Sequence, residues 1–158
     1  MTDIAIGKML TPDEIREAMS AVFAGLVVVV AEAWETVEVS FDIGVRLQPN
    51  ESEFPCGLEV AAPMRPGRDL EAWLRGLAKV LGEHFGVPAI CDGTSFGDTD
   101  SPYWSLVWKD GAAFLADDLD TTFADGEGGP VKIVRELEEP PQVPDRQALA
   151  AWVRGPAG

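Results

Sequence analysis

The clearest pattern in the chain is an alternation of apolar and polar residues over positions 37–47. The apolar positions of this stretch are Val37, Val39, Phe41, Ile43, Val45 and Leu47. A period of two places them on one face of an extended chain and the polar residues on the other. The pattern predicts a half-buried antiparallel strand, and the short apolar stretch 57–62 is placed to pair back with it as a hairpin.

A helix start precedes this strand. Thr11 supplies a capping hydroxyl, Pro12 suits the first helical position, and Glu14 follows three residues after the cap. Two signals compete over where this helix ends. Four consecutive valines at 27–30 favour a strand, whereas residues 31–35 are good helix formers. We predict one helix from 12 to about 35, with a strand within 26–35 as the alternative.

The remaining elements follow the same two periodicities. A stripe of Leu, Trp and Phe at spacings of three and four predicts a helix over 68–85, which ends at Gly86. Asp110 and Gly111 predict a tight hairpin turn within a set of strands over 87–137, and a last helix is predicted over 145–154. The expected fold is a single α+β domain, 1–158, with an antiparallel sheet of about five to six strands and two to three helices on one face.

Charge narrows the classes of partner. The 158 residues carry 27 acidic and 12 basic side chains, which gives a net charge of −15. The acids concentrate in the two flanks, since residues 61–96 hold four of each sign. Such a field repels phosphate backbones and anionic lipids and attracts basic proteins. We therefore expect a protein partner of basic character, no nucleic acid and no membrane, and leave a homodimer open.

Few residues suggest catalysis. His84, the only histidine, lies at the edge of a helical core stripe, which is typical of a structural role, and a Cys91 thiol nucleophile would need it within hydrogen-bond reach. Phosphate-binding glycine motifs are missing, and the acidic stretches lack the spacing of a calcium loop. The sequence predicts a non-catalytic protein with no cofactor and no metal. With neither a secretory leader nor metal or redox spacing of Cys56 and Cys91, it predicts a cytoplasmic protein with reduced thiols, a disulfide being the minor alternative.

Two acidic loops, 92–100 and 117–127, are the candidate contact surface. The predicted partner-binding residues are Asp92, Asp98, Asp100, Trp104, Asp117, Asp118, Asp120, Asp125 and Glu127. Complementary charge at such loops speeds association with a basic partner. The leading hypothesis is an immunity-type or inhibitor protein that neutralises a basic toxin or effector. The alternatives are a secretion-type chaperone or assembly adaptor that masks an apolar segment of a client, and a small carboxylate-dependent or metal-dependent enzyme.

Overall fold

The computed structural model describes residues 2–99, 103–119 and 130–155. Within these residues the chain forms one α+β fold with a single mixed sheet. The helices are α1 (Pro12–Val22), α2 (Leu70–Phe85) and α3 (Arg146–Arg154). The strands are β1 (Ile4–Ile6), β2 (Val28–Ala31), β3 (Ile43–Pro49), β4 (Cys56–Ala61), β5 (Ala89–Asp92), β6 (Trp104–Lys109), β7 (Ala112–Asp117) and β8 (Lys132–Glu136).

The sheet has eight strands in the order β2-β3-β4-β1-β5-β6-β7-β8. The pair β2 and β3 is parallel, and every other neighbouring pair is antiparallel. The expectation of five to six strands in an all-antiparallel sheet is therefore wrong in both respects. The difference comes from β1, which sequence reasoning did not predict, and from β2, which it gave only as the alternative to a long helix.

The central strand β1 is three residues long, and Ile4, Ala5 and Ile6 are all fully buried. It pairs with β4 on one side and with β5 on the other. Three apolar residues are too few to show a periodicity, so this strand is defined by the neighbours it pairs with rather than by its own sequence.

The predicted long helix is also wrong, because α1 ends at Val22 with Phe23 as its C-cap. Its start is as predicted. The Thr11 side chain accepts from the Glu14 amide, and the Glu14 carboxylate accepts from the Thr11 amide. Gly25 then turns the chain with a φ of 80°, and the valines enter β2. The β-branched side chains fit the pleated strand, so the alternative prediction of a strand in 26–35 is confirmed.

The alternating pattern over 37–47 forms a strand only in its second half. Ile43, Val45 and Leu47 are buried as predicted, but Val39 is 63% exposed and lies outside the sheet. The cause is that residues before β3 fold back over it. Trp34 stacks on Phe41 with ring centroids 6.1 Å apart, and both rings cover the Gly44 backbone, leaving no room there for a side chain.

The other local predictions hold closely. The helix predicted over 68–85 is α2, and it ends as predicted at Gly86, which is in the left-handed conformation. The structure adds its N-cap, Asp69, whose side chain accepts from the Ala72 amide. The hairpin β6–β7 turns at Asp110 and Gly111, which have φ values of 52° and 79°. Pairing of β3 with β4 is antiparallel, as expected for the first hairpin.

All three helices contribute to one main core on one face of the sheet, as predicted. Its centre is a row of aromatic rings, in which Trp73 lies 6.0 Å from both Phe23 and Trp152. A smaller apolar cluster covers part of the other face, and none of its described members belongs to a helix; they are Ala5, Phe54, Ile90, Val107, Ala116 and Val131. Both faces of β5, β6 and β7 are thus covered by packed side chains. These strands therefore form a rigid part of the sheet. Across the described ranges, every helix is too short or too polar to cross a bilayer.

Candidate functional site

The described acidic candidates gather at one end of the sheet. Asp92 ends β5 opposite Ser105 in β6, and Trp104 pairs with Asp117 at the end of β7. Because these strands are antiparallel, the end of β5, the start of β6 and the end of β7 meet at the same place. We call the group Asp92, Asp98, Asp117 and Asp118 the acidic sheet end.

Trp104 holds the loop that carries Asp98. Its indole nitrogen donates to the backbone oxygen of Thr99 at 3.1 Å and to the Thr99 hydroxyl at 3.2 Å. Gly97 lies directly against the Trp104 ring, where an added Cβ would clash. Gly93 likewise leaves no space between the loop and Ser105. The two glycines therefore let the loop pack onto β6, and the half-buried Trp104 supports the loop.

Asp92 is exposed, and a local hydrogen bond holds its side chain. Its carboxylate accepts a hydrogen bond of 2.6 Å from the Thr94 hydroxyl. Asp117 accepts from the Leu119 amide at 2.9 Å. Such local bonds between a side chain and the nearby backbone or hydroxyl hold the carboxylates in one orientation, so they can meet a partner with little loss of side-chain entropy.

Asp118 differs from the others because it is only 4% exposed. The Ser105 hydroxyl donates to its carboxylate. Burial raises the pKa of Asp118 to about 6, and the neighbouring carboxylates Asp117 and Asp92 add to this, against the lowering effect of the Ser105 bond. Asp118 is thus a buried residue that bonds to β6, and not a contact residue on the surface. Sequence reasoning placed it among the surface candidates because the sequence does not show which acidic residues are buried.

Two basic residues of β8 moderate the charge of this region. Arg135 forms a salt bridge of 3.2 Å with Asp98, and both side chains are about half exposed. Lys132 stands opposite Asp117 in the strand register. Among the remaining predicted contact residues, Asp100, Asp120, Asp125 and Glu127 lie outside the described residues.

The residues considered for catalysis lie in unsuitable surroundings. His84 is exposed at the end of α2, with its ring edge-on to Phe85 at 4.9 Å. Cys91 is 1% exposed, and burial raises the pKa of its thiol to about 12, so a thiolate is strongly disfavoured there. Cys56 and Cys91 are both free, so the minor alternative of a disulfide between them is not realised. In the part of the chain that the structure describes, no three His, Cys, Asp or Glu side chains group as metal ligands.

A pocket of about 300 Å³ lies at the opposite end of β5 and β6, where α2 ends. Its charged lining residues are Lys79, Glu83, Lys109 and Asp110, and Lys79 lies 5.3 Å from the centroid of the Trp108 ring. Sequence reasoning missed this pocket because its walls come from two separate segments, 79–88 and 108–111. Two positive and two negative side chains leave it without a preferred ligand charge.

A comparison of the chain with protein-family models, with curated proteins and with solved structures finds no match.

Proposed function

We propose that this chain is a non-catalytic binding protein of the immunity or inhibitor type, acting in the cytoplasm, that neutralises a basic toxin or effector. The observation that carries the proposal is the acidic sheet end. There the exposed carboxylate of Asp92 and the half-buried carboxylate of Asp117 are held by local hydrogen bonds, on strands that are covered on both faces. A surface of this kind suits tight, charge-led capture, because the binding groups are already ordered before the partner arrives.

The partner's chemistry follows from the charge. A protein with a net charge of −15 accelerates the approach of a basic protein, and fixed carboxylates then select its orientation. Of the described candidates, Asp92, Asp98 and Asp117 present oxygen atoms to the surface, whereas Asp118 acts by holding the support. Contact through exposed carboxylates is screened by salt, so the association rate should fall steeply with ionic strength.

The test compares two triple variants of equal charge. Asp92→Asn, Asp98→Asn and Asp117→Asn remove three charges at the acidic sheet end while keeping an oxygen for the bonds from Thr94 and Leu119. Glu17→Gln, Glu71→Gln and Glu139→Gln remove three charges from exposed positions elsewhere. The partner tested is the basic product of the neighbouring open reading frame, and biolayer interferometry measures its association rate at about 50 and about 500 mM NaCl.

We expect the first variant to associate about tenfold or more slowly at low salt and the second to change by less than about threefold. Equal effects of both variants would show that the carboxylates act only through net charge, and the proposal would fail. Retention of the partner that is indifferent to salt would favour the alternative of a chaperone that masks an apolar segment. Thermal stabilisation by a divalent cation would favour the alternative of a small metal-dependent enzyme.

A further inference from the structure

The two edges of the sheet differ in character. The edge strand β8 carries Lys132, Arg135 and Glu136, and its pairing with β7 is interrupted by a register shift at Leu115/Ala116. Charges and irregular pairing are how natural edge strands avoid adding further strands. The opposite edge, β2, has the sequence Val-Val-Val-Ala, with a further valine, Val27, before it. It has no charge, no proline and no register shift.

The backbone of β2 leaves hydrogen-bonding groups facing outward. The carbonyl of Val27 accepts from the Ile43 amide at 3.2 Å, and Val28 is the register partner of Ile43. In a parallel ladder this places the odd-numbered residues of β2 in bonds with β3, and Val28 and Val30 direct their amides and carbonyls away from it. Among the described residues β2 pairs with β3 alone.

The connection that follows this edge strand is acidic. The connection from β2 to β3, residues 32–42, holds Glu32, Glu35, Glu38 and Asp42 and no basic residue, and all four are exposed. Asp42 lies at the start of β2, where its carboxylate accepts from the Val27 amide at 2.7 Å. Exposed apolar surface accompanies the charge, since Val27 is 52% and Val39 is 63% exposed.

We propose that β2 is a docking edge that takes an extended segment of a partner protein as a ninth strand, and that this segment is apolar with basic flanks. Backbone bonds from Val28 and Val30 supply the pairing, and the carboxylates of Glu32, Glu35 and Glu38 select the charge of the flanks. A second copy of this chain fits less well, because it would bring the same acidic connection against itself. The proposal is independent of the acidic sheet end, which lies at the ends of β5 to β7.

The probe for the test is a fluorescent peptide of alternating threonine and valine with two lysines at each end; a peptide with glutamates at its ends is the comparison. Anisotropy measures binding to the full chain. The variant Val30→Pro removes an outward amide and leaves the bonds to β3 in place. A charge variant combines Glu32→Lys, Glu35→Lys and Glu38→Lys, and its matched control carries Glu71→Lys, Glu83→Lys and Glu139→Lys at exposed positions away from β2.

We expect the lysine peptide to bind at least tenfold more tightly than the glutamate peptide. Val30→Pro should weaken it at least tenfold, and the charge variant should reverse the preference while its control keeps it. Hydrogen exchange of the unmodified protein tests the same edge without any variant. The amides of Val28 and Val30 should exchange faster than that of Val29 in the free protein and become at least tenfold slower with the lysine peptide.

Three results would overturn the proposal. The first is equal binding of the two peptides. The second is strong protection of the Val28 and Val30 amides in the free protein, which would mean that the edge is already covered. The third is a dimer in sedimentation measurements that Val30→Pro dissociates, because the edge would then belong to a second copy of the chain.

Discussion

The Ser105 hydroxyl donates to the carboxylate of Asp118, and these two residues are 1% and 4% exposed. This bond joins β6 to the residue that follows β7. It also holds a buried acidic group two residues after Ala116, a member of the second apolar cluster. Because burial raises the pKa of Asp118, this carboxyl group makes the stability of the protein depend on pH.

The first prediction concerns that dependence. The pKa of Asp118 rises from 3.8 to about 6 on folding, so the folded protein binds the proton more tightly than the unfolded chain does. The contribution of this group to stability is complete below about pH 4 and is lost as the pH rises to about 6. Asp118→Asn should remove the effect. The difference in unfolding free energy between variant and wild type should shift in favour of the variant by up to about 3 kcal/mol from pH 4 to pH 7.

Urea denaturation at a series of pH values measures that difference directly. Glu139→Gln serves as the control, because Glu139 is exposed and is not among the groups that act on Asp118. A difference for Asp118→Asn that is constant over the whole range would contradict the prediction.

A second prediction concerns Arg75, which is 8% exposed on α2. Its guanidinium lies 5.2 Å from the Phe96 ring centroid and 3.9 Å from the Asp69 carboxylate, while Nε and Nη1 have no partner among the described residues. A buried charge that is weakly paired contributes little to stability. Arg75→Met should leave the unfolding free energy within about 1 kcal/mol of wild type or raise it, as measured by chemical denaturation. A loss of about 3 kcal/mol or more would show that the charge is essential to folding.

A third prediction compares two buried tryptophans. Trp73 donates its indole hydrogen to the Leu149 carbonyl at 3.2 Å, whereas the Trp108 nitrogen is buried without a partner among the described residues. Replacement by phenylalanine removes similar volume at both sites, but only Trp73→Phe breaks a hydrogen bond. Trp73→Phe should therefore cost about 1 kcal/mol more than Trp108→Phe in thermal or urea unfolding. The reverse order would be inconsistent with these contacts.

The β6–β7 turn gives a fourth prediction. Gly111 has a φ of 79°, and an added Cβ would meet nothing within 4 Å, so the cost of a side chain there is conformational only. Gly111→Ala should destabilise the protein by about 1–2 kcal/mol. Asp110→Gly should change stability by less than about 1 kcal/mol, because glycine adopts the φ of 52° freely. Both values come from equilibrium unfolding, and equal values would contradict the turn assignment.

Sequence reasoning succeeded where the signal was local. The cap at Thr11, the helix end at Gly86 and the turn at Asp110 and Gly111 are each determined by a few adjacent residues, and all of them are present in the structure. It failed where neighbours distant in sequence decide. β1 exists because β4 and β5 lie on either side of it, and the strand predicted from residue 37 begins only at Ile43.

The candidate site shows the same division. Trp104 and Asp117, two of the predicted contact residues, lie opposite each other in the β6–β7 hairpin, and local strand pairing determines this arrangement. Whether a carboxylate points outward or into the protein depends on which faces of the sheet are covered. Cover on the second face comes from loop residues such as Phe54 and Val131, so the burial of Asp118 could not be foreseen.

The position of β1 has a consequence for synthesis of the protein. Residues 28–61 supply one run of three adjacent strands and residues 89–136 supply another of four, and β1 alone joins the two runs. On the ribosome, β1 is made before both of its neighbours and therefore stays unpaired on at least one side until β5, which ends at Asp92, has emerged. Closure of the whole sheet therefore depends on the long-range pairing of β1 with β5, however early each local run of strands forms.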